Sequence, residues 1–390
     1  MDDTIAKKEN ALDGTPAKTQ DKVVLRGEII RGKDNVSKIS SEWDRLFARA
    51  INTPVNMSRA WLGTFISEGY FKGEICFIVV WKGSELAALL PVAIQSICGI
   101  KIAKLISWEV PTYLGLLLDP DCPEAIKVVV ETWIENKVAH VFNDKHVSSV
   151  DKATQSLVKE FNNHGFISKY GYKRINFLIE PGSSFDEYLK KHKSSKRRRK
   201  LAYDERQLFK SVNVEIKQYN GSDITADILK RIAQIQDESW LKRRGASVLK
   251  EPFYQKLLGN MSQAGFGSVW IMRIDGEDAA FAFNSISHGT LYYQYVAFKL
   301  KFRLASSVGQ ILLMQILRDT CERNIKYFDF GHGDAEYKRF WSNYSRDVDW
   351  VVAGHGLVGI VMVLGYKLMW FLAGQKKLFS FYQRIKALKK

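Results

Sequence analysis

Two stretches far apart in this chain carry the same hairpin pattern, and that repetition constrains the fold more than any other feature. Ile75-Cys-Phe-Ile-Val-Val-Trp81 is a β-rich run; a turn at Lys82-Gly-Ser-Glu85 follows, and Leu86-Ala-Ala-Leu-Leu-Pro-Val92 returns. Val269-Trp-Ile-Met-Arg-Ile274 is followed by a turn at Asp275-Gly-Glu277 and by Asp278-Ala-Ala-Phe-Ala-Phe283. β-rich runs around a short glycine-containing turn predict hairpins. Both return strands open with paired alanines, Ala87-Ala88 and Ala279-Ala280. The pattern indicates an internal duplication at the scale of a domain, with chance resemblance between two hairpins as the bland alternative.

Helical segments precede each hairpin. Ser41 to Phe47 and Ser58 to Phe65 show plausible capping serines and apolar spacing, and Ile224 to Trp240 and Pro252 to Leu258 are their counterparts in the second half. A chain of 390 residues is long enough for two cores. The reading is therefore α/β (α+β) with mixed, mostly antiparallel sheets flanked by helices. The expected division is a disordered tail over 1–22, a first domain over 23–170, a second over 171–347 and a basic amphipathic segment over 348–390. The first half closes with a helix from about Pro123 to Lys137, entered from Asp119-Pro-Asp-Cys-Pro123 without a glycine-lined cradle. The halves are thus expected to differ in function, with the first carrying no donor site.

The second half supplies the chemistry. Leu291-Tyr-Tyr-Gln-Tyr-Val-Ala297 reads as a strand, and Ala305-Ser-Ser-Val-Gly-Gln310 as a small-residue entry to a helix. Tyr327-Phe-Asp-Phe-Gly331 reads as a second strand, and the loop beyond it holds His332, Asp334, Glu336, Tyr337 and Lys338. A helix start presents unpaired N–H groups and a positive dipole end to a phosphate. Ser306, Ser307, Gly309 and Gln310 are therefore the candidate cradle for a donor's pyrophosphate; an ordinary helix cap is the alternative. Tyr293 and Tyr295, two apart in a strand, are expected to share a face, lining a pocket or filling a core. A group-transfer reaction needs a base, donors for developing negative charge and an acid for the leaving group. The loop gathers those residue types.

At these residues the chain resembles the GNAT acetyltransferase superfamily, and more narrowly its CelD-type group, whose relatives include the FemAB peptidyltransferases. The resemblance rests on Trp43-Asp-Arg-Leu46, Trp61, Leu90-Pro91, Glu238-Ser-Trp240, Ser307, Gly309, Leu312, Phe328-Asp329-Phe330, Tyr337-Lys338 and Trp341, in that order along residues 40–345. Where the family usually has proline before the helix-opening glycine, this chain has Val308. The resemblance implies two GNAT-like domains in tandem, with the donor, acetyl-CoA or another acyl-CoA, bound in the second. It also implies that the strand through Tyr295 and Val296 hydrogen-bonds the pantetheine arm. Lys338 matches by position the lysine that FemAB relatives bring to the reacting carbonyl. Tyr337 would protonate the thiolate, with Glu336 or His332 as base. Asp329 is a further catalytic candidate, the alternative being a cap on a neighbouring turn, and Lys338 has the alternative of a structural pair with Glu336. Trp240 and Tyr293 would face the acceptor, against a default of packing.

Charge widens the choice of partners. The formal net charge is +16, which favours polyanions without choosing among them. Lys190 to Lys200 carries eight Lys/Arg and no acid; a solvated helix face, a contact to a donor phosphate, an anionic acceptor or membrane, and RNA are all open. Nucleic acid is not expected except tRNA, under a FemAB-like reading. From Val351 to Ala373 only His355 and Lys367 interrupt an apolar run. Its length permits a membrane span. Yet Leu357, Ile360, Val361, Leu364, Leu368 and Phe371 form a helical stripe, which better suits a helix lying in an interface or docked on the protein. The four cysteines lack metal or redox spacing, and the first residues lack a secretory apolar core. The expectation is a cytoplasmic enzyme without a metal, peripheral on the inner membrane through 351–390. Its function would be acyl transfer from acyl-CoA to an amine acceptor in cell-envelope or exopolysaccharide synthesis. The alternatives are an aminoacyl-tRNA-dependent peptidyltransferase and a non-catalytic scaffold or regulator of a polysaccharide synthase.

Overall fold

The computed structural model describes residues 24–51, 53–107, 113–171, 173–304 and 308–374, so the tail expected over 1–22 lies outside the described residues. In chain order the strands are β1 (Leu25–Arg31), β2 (Glu74–Lys82), β3 (Glu85–Ile97), β4 (Ile100–Leu105), β5 (Leu117–Leu118), β6 (Val141–Ser148) and β7 (Ile167–Tyr170). They continue with β8 (Arg174–Ile179), β9 (Val214–Asn220), β10 (Gly267–Ile274), β11 (Glu277–Ser287), β12 (Thr290–Phe298), β13 (Tyr327–His332) and β14 (Tyr344–Gly354). All belong to one mixed sheet in the order β1-β2-β3-β4-β6-β14-β8-β13-β12-β11-β10-β9, with β5 on β3 and β7 on β14.

Read from its two ends, that order is the same order twice. β1-β2-β3-β4-β6 runs against β9-β10-β11-β12-β13, and each series holds one parallel pair, β4 with β6 and β12 with β13. The hairpins match in detail. Lys82 pairs with Glu85 and Ile274 with Glu277, so both turns hold two residues. Both ladders then slip at the same step: Trp81 faces Leu86 while Val80 faces Ala88, and Arg273 faces Asp278 while Met272 faces Ala280. The first alanine of each pair, Ala87 and Ala279, is the extra residue of a β-bulge. The paired alanines are therefore the trace of a shared irregularity in the ladder.

The halves are not separable. β8, which leads out of the first half, pairs with β13 of the second, and β14, which ends the second half, pairs with β6 of the first. The two exchanged strands pair with each other in the middle, through Tyr344–Val348 against Leu178–Arg174. The boundary expected at 170 falls between β7 and β8, and the one expected at 347 falls inside β14. The fit of β14 between two neighbours overrides its compositional continuity with the apolar segment that follows.

Helices cover the faces where all but one of the expected caps indicate; Ser41 lies inside helix Ser40–Arg49, whose N-cap Ile39 makes no side-chain cap bond. Ser58 accepts from the Trp61 amide at the start of Arg59–Ser67, and Thr225 from the Ile228 amide at the start of Ala226–Asp237. Pro252 opens Pro252–Gln263 at a position where its missing N–H costs nothing. The basic run is divided: Lys190 and Lys191 end helix Phe185–His192, and Lys196 to Lys200 lie in the first turns of helix Ser195–Ser211, capped by Ser194. The apolar segment divides: Val351 to Gly354 finish β14, and a helix covers Gly356–Gly374. Val363, Tyr366 and Trp370 pack onto Ile102, Val141 and Val352 of the sheet. The stripe through Leu357, Val361, Leu364, Leu368 and Phe371 is the exposed side of this helix. No helix among the described residues is long and apolar enough to cross a membrane.

Candidate active site

The sheet forks where β12 meets β13. Their parallel register covers only Thr290–Tyr292 against Tyr327–Asp329, although β12 continues to Phe298. Beyond that point β12 stays with β11 while β13 stays with β8, through His332 opposite Asn176. A cavity of about 660 Å³ occupies the fork. One wall is β12 from Tyr293 to Phe298; another is Val308, Gly309 and Gln310 at the start of helix Val308–Glu322; a third runs from His332 to Lys338. Its size suits a small-molecule arm.

A bulge sets the β12 wall. Phe283 faces Tyr295 and Asn284 faces Tyr293, so Gln294 is the extra residue. This reverses the alternation of side chains midway along the strand. Tyr293 packs with Phe328 and Phe330 on the side of helix Val308–Glu322, whereas Tyr295 packs with Tyr254 and Phe283 on the other. The shared face expected for the two tyrosines is thereby corrected, yet both border the cavity, at the bulge itself. Burial holds both phenols far above their ordinary range, so both are neutral hydroxyls.

Gly309 lies against β12. A Cβ there would come within 3.3 Å of the Phe298 ring, so the helix start and the strand meet closely because this residue has no side chain. Ser306 and Ser307, the other half of the expected cradle, lie outside the described residues. Gln310 lines the cavity. Trp240 lines it too, opening the short helix Trp240–Arg243 with the Arg244 guanidinium 4.7 Å from its ring centroid. The Gln236 side chain, buried beneath, accepts from the Val248 and Leu249 amides and pins the loop that completes this edge.

The third wall carries the residues expected on a loop; the structure corrects this in part, since Glu336, Tyr337 and Lys338 open a short helix, Glu336–Trp341. Gly331 and Gly333 adopt φ of 69° and 97°, in the left-handed region, and this folds the chain back on itself after β13. The turn brings the carbonyls of Gly331 and His332 to the Lys338 ammonium, which donates to them at 3.3 and 2.7 Å. Lys338 is only 8 % exposed. Burial lowers its ammonium to about 8, against an opposing pull from the charge of Asp329. Two of its three donors are engaged, and the side chain lines the cavity. Tyr337 sits at the rim, its ring edge-on to Phe330; burial raises its phenol to about 12, although 41 % of the residue is exposed. The His332 imidazole forms part of the wall, packed against Tyr113 at 4.6 Å and His146 at 5.2 Å between ring centroids.

Two expected site residues stand apart. Asp329 is fully buried behind the wall and does not line the cavity. It accepts from the Gly331 amide at 2.7 Å, from Tyr113 and Asn176 at 3.1 Å each, and from Arg346 at 2.5 Å. Its oxygens are spent on joining a first-half loop, β8 and β14 behind the turn, and they hold that turn from outside the cavity. Glu336 is exposed outside the cavity and makes no pair with Lys338, whose partners are main-chain carbonyls. Conversely, Gln294, Phe298, Phe302 and Gln236 line the cavity without being singled out by the sequence. The sequence pattern places Gln294 in a strand and Gln236 in a helix, and leaves Phe298 and Phe302 unassigned between a strand and a helix entry.

A helix start beneath a splayed parallel strand pair, with a buried lysine on the short helix beyond, lies in the part of the chain that resembles a known acyltransferase domain. Residues 195–339 match the family model described as an acetyltransferase (GNAT) domain. Among solved structures the chain resembles FemX, with 13 % identity over 80 % of this chain and 95 % of that one at a TM-score of 0.57. It also resembles L-PGS from Bacillus licheniformis, with 13 % identity over 89 % and 98 % of the two chains at a TM-score of 0.54. A third likeness is to the C-terminal domain of a putative lysylphosphatidylglycerol synthetase from Agrobacterium fabrum, with 14 % identity over 85 % and 96 % at a TM-score of 0.53. At such identities these likenesses show a common fold. A search of curated proteins finds no significant match.

Proposed function

We propose that the chain transfers an acyl group from an acyl-CoA to an amine, in the fork between β12 and β13. The observation that carries this reading is that Lys338 and Gly309 both line one cavity. The donor's arm would lie along β12, whose backbone beyond Tyr292 is not engaged by β13, with its pyrophosphate toward the start of helix Val308–Glu322. The thioester carbonyl would meet the remaining Lys338 donor, which offers positive charge to the oxygen as the amine attacks the carbonyl carbon. The new C–N bond forms, the C–S bond breaks, and the electron pair leaves on sulfur. Tyr337 holds its proton at neutral pH and is the group to deliver it to that sulfur; His332 takes the proton lost by the nitrogen.

One observation favours a second reading, in which an aminoacyl-tRNA is the donor. The basic run abuts the cavity's edge: Lys193 lies 5.9 Å from the ring centroid of Trp341, a cavity residue, and Arg197 lies 5.4 Å from that of Phe340. A polyanion could follow that helix to the fork. Either donor would suit an acceptor in cell-envelope or exopolysaccharide synthesis. Titration calorimetry of the full chain against acetyl-CoA separates these readings. Saturable binding that Gly309→Asp weakens by about 100-fold, as expected when a carboxylate replaces an anion's open approach, supports the first. Binding to charged tRNA alone supports the second. Neither would leave the scaffold reading standing.

A further inference from the structure

Helix Gly356–Gly374 is anchored on one side and bare on the other. Its inner side fits too closely to be a loose appendage. A Cβ on Gly359 would lie 2.5 Å from the His140 carbonyl oxygen, and one on Gly171 would lie 2.6 Å from the Trp370 ring. Asn143 donates to the Tyr366 hydroxyl at 2.9 Å, tying the helix to β6. The outer side presents Leu357, Val361, Leu364, Leu368 and Phe371, at steps of four, three, four and three, with Leu357 80 % and Phe371 64 % exposed. A contiguous apolar strip of this kind on a docked helix marks a surface that something covers.

The charge around the strip selects what covers it. Lys367 is exposed on the same helix, and residues 375–390, which follow directly, hold Lys376, Lys377, Arg384, Lys386, Lys389 and Lys390. Residues 350–390 contain no Asp or Glu. A second copy of this chain would bring another +16 of charge to the contact. Folding residues 375–390 back over the strip would gather seven cations around it without one anion. An anionic lipid surface answers both properties, accepting the apolar side chains among its acyl chains and the cations among its phosphates. With one side of the helix committed to the sheet, the helix lies on such a surface and does not cross it.

We infer that the outer face of helix Gly356–Gly374 seats the chain on an anionic bilayer. This holds whether or not the fork transfers an acyl group. The test is co-sedimentation of the full chain with vesicles of phosphatidylcholine, alone or with about 30 % phosphatidylglycerol. Binding is expected to the mixed vesicles, weakening as salt screens the charges. Replacing Val361, Leu364 and Leu368 together by Ser should lower partitioning by at least about tenfold, since three buried side chains are lost from the lipid. These positions leave Gly359, Tyr366 and Trp370 docked, so the variant's circular dichroism and melting temperature should match those of the parent. No sedimentation with anionic vesicles, or equal sedimentation of the triple variant, would overturn the inference. A concentration-dependent dimer in ultracentrifugation that the variant abolishes, without vesicle binding, would instead assign the face to a second copy.

Discussion

Lys338 gives the site its most accessible signature. Its ammonium is lowered to about 8 by burial, and in the proposed mechanism the charged form holds the carbonyl oxygen. Deprotonation above that pH removes the donor, so kcat/KM should fall as pH rises through about 8. Lys338→Arg keeps the charge at all accessible pH and should move that limb upward even if its geometry costs rate. Lys338→Ala should lower turnover by about 100-fold or more, the cost of removing one oxyanion donor. A falling limb that stays in place in Lys338→Arg would sink the assignment. That Lys338 and Gly309 would border one cavity was legible because residue type and order suggest it: a lysine soon after a strand, a glycine opening a helix. The function of Asp329 was not. Its partners Tyr113, Asn176 and Arg346 lie 216, 153 and 17 residues away in sequence, and nothing local distinguishes a saturated hub from a catalytic carboxylate.

Elements were easier to find than to orient. Both hairpins and the principal helices follow from periodicity and caps, because apolar spacing and N-cap side chains act within a few residues. The faces of β12 did not follow, since a bulge inserts at Gln294 without a diagnostic residue and inverts every side chain beyond it. The last helix shows the complementary limit. Its stripe was correctly seen as apolar, but the side that docks is chosen by glycines and aromatic rings that fit the sheet. Gly359→Leu should therefore expel the helix: neither the His140 carbonyl nor the Gly354 backbone can yield, and overpacking of this kind costs about 1–3 kcal/mol. Gly365, whose Cβ position is open, provides the control. Faster trypsin cleavage at Lys367 in Gly359→Leu but not in Gly365→Ala is the expected pair of results, and equal resistance of both would show that the helix is not held by that contact.

For the whole molecule, the duplication was visible in the repeated hairpins, but the exchange of closing strands was not, because no composition distinguishes a strand that serves its own half from one lent to the other. The lending removes the independence that two similar domains would otherwise have. A fragment spanning 24–170 lacks β14 beside β6, and one spanning 180–354 lacks β8 between β13 and β14. Neither should fold alone, whereas the full chain should melt in one transition by calorimetry. A stable, cooperatively folded 24–170 fragment would contradict this. The same exchange has a bearing on birth at the ribosome. The edge of β6 is finished only by residues 348–354, so the first half must wait, with its hydrogen-bonding edge open, while nearly all the rest of the chain is synthesised. A waiting edge invites the wrong strand, and for this protein the order of translation, as much as the final contacts, decides how often the sheet closes correctly.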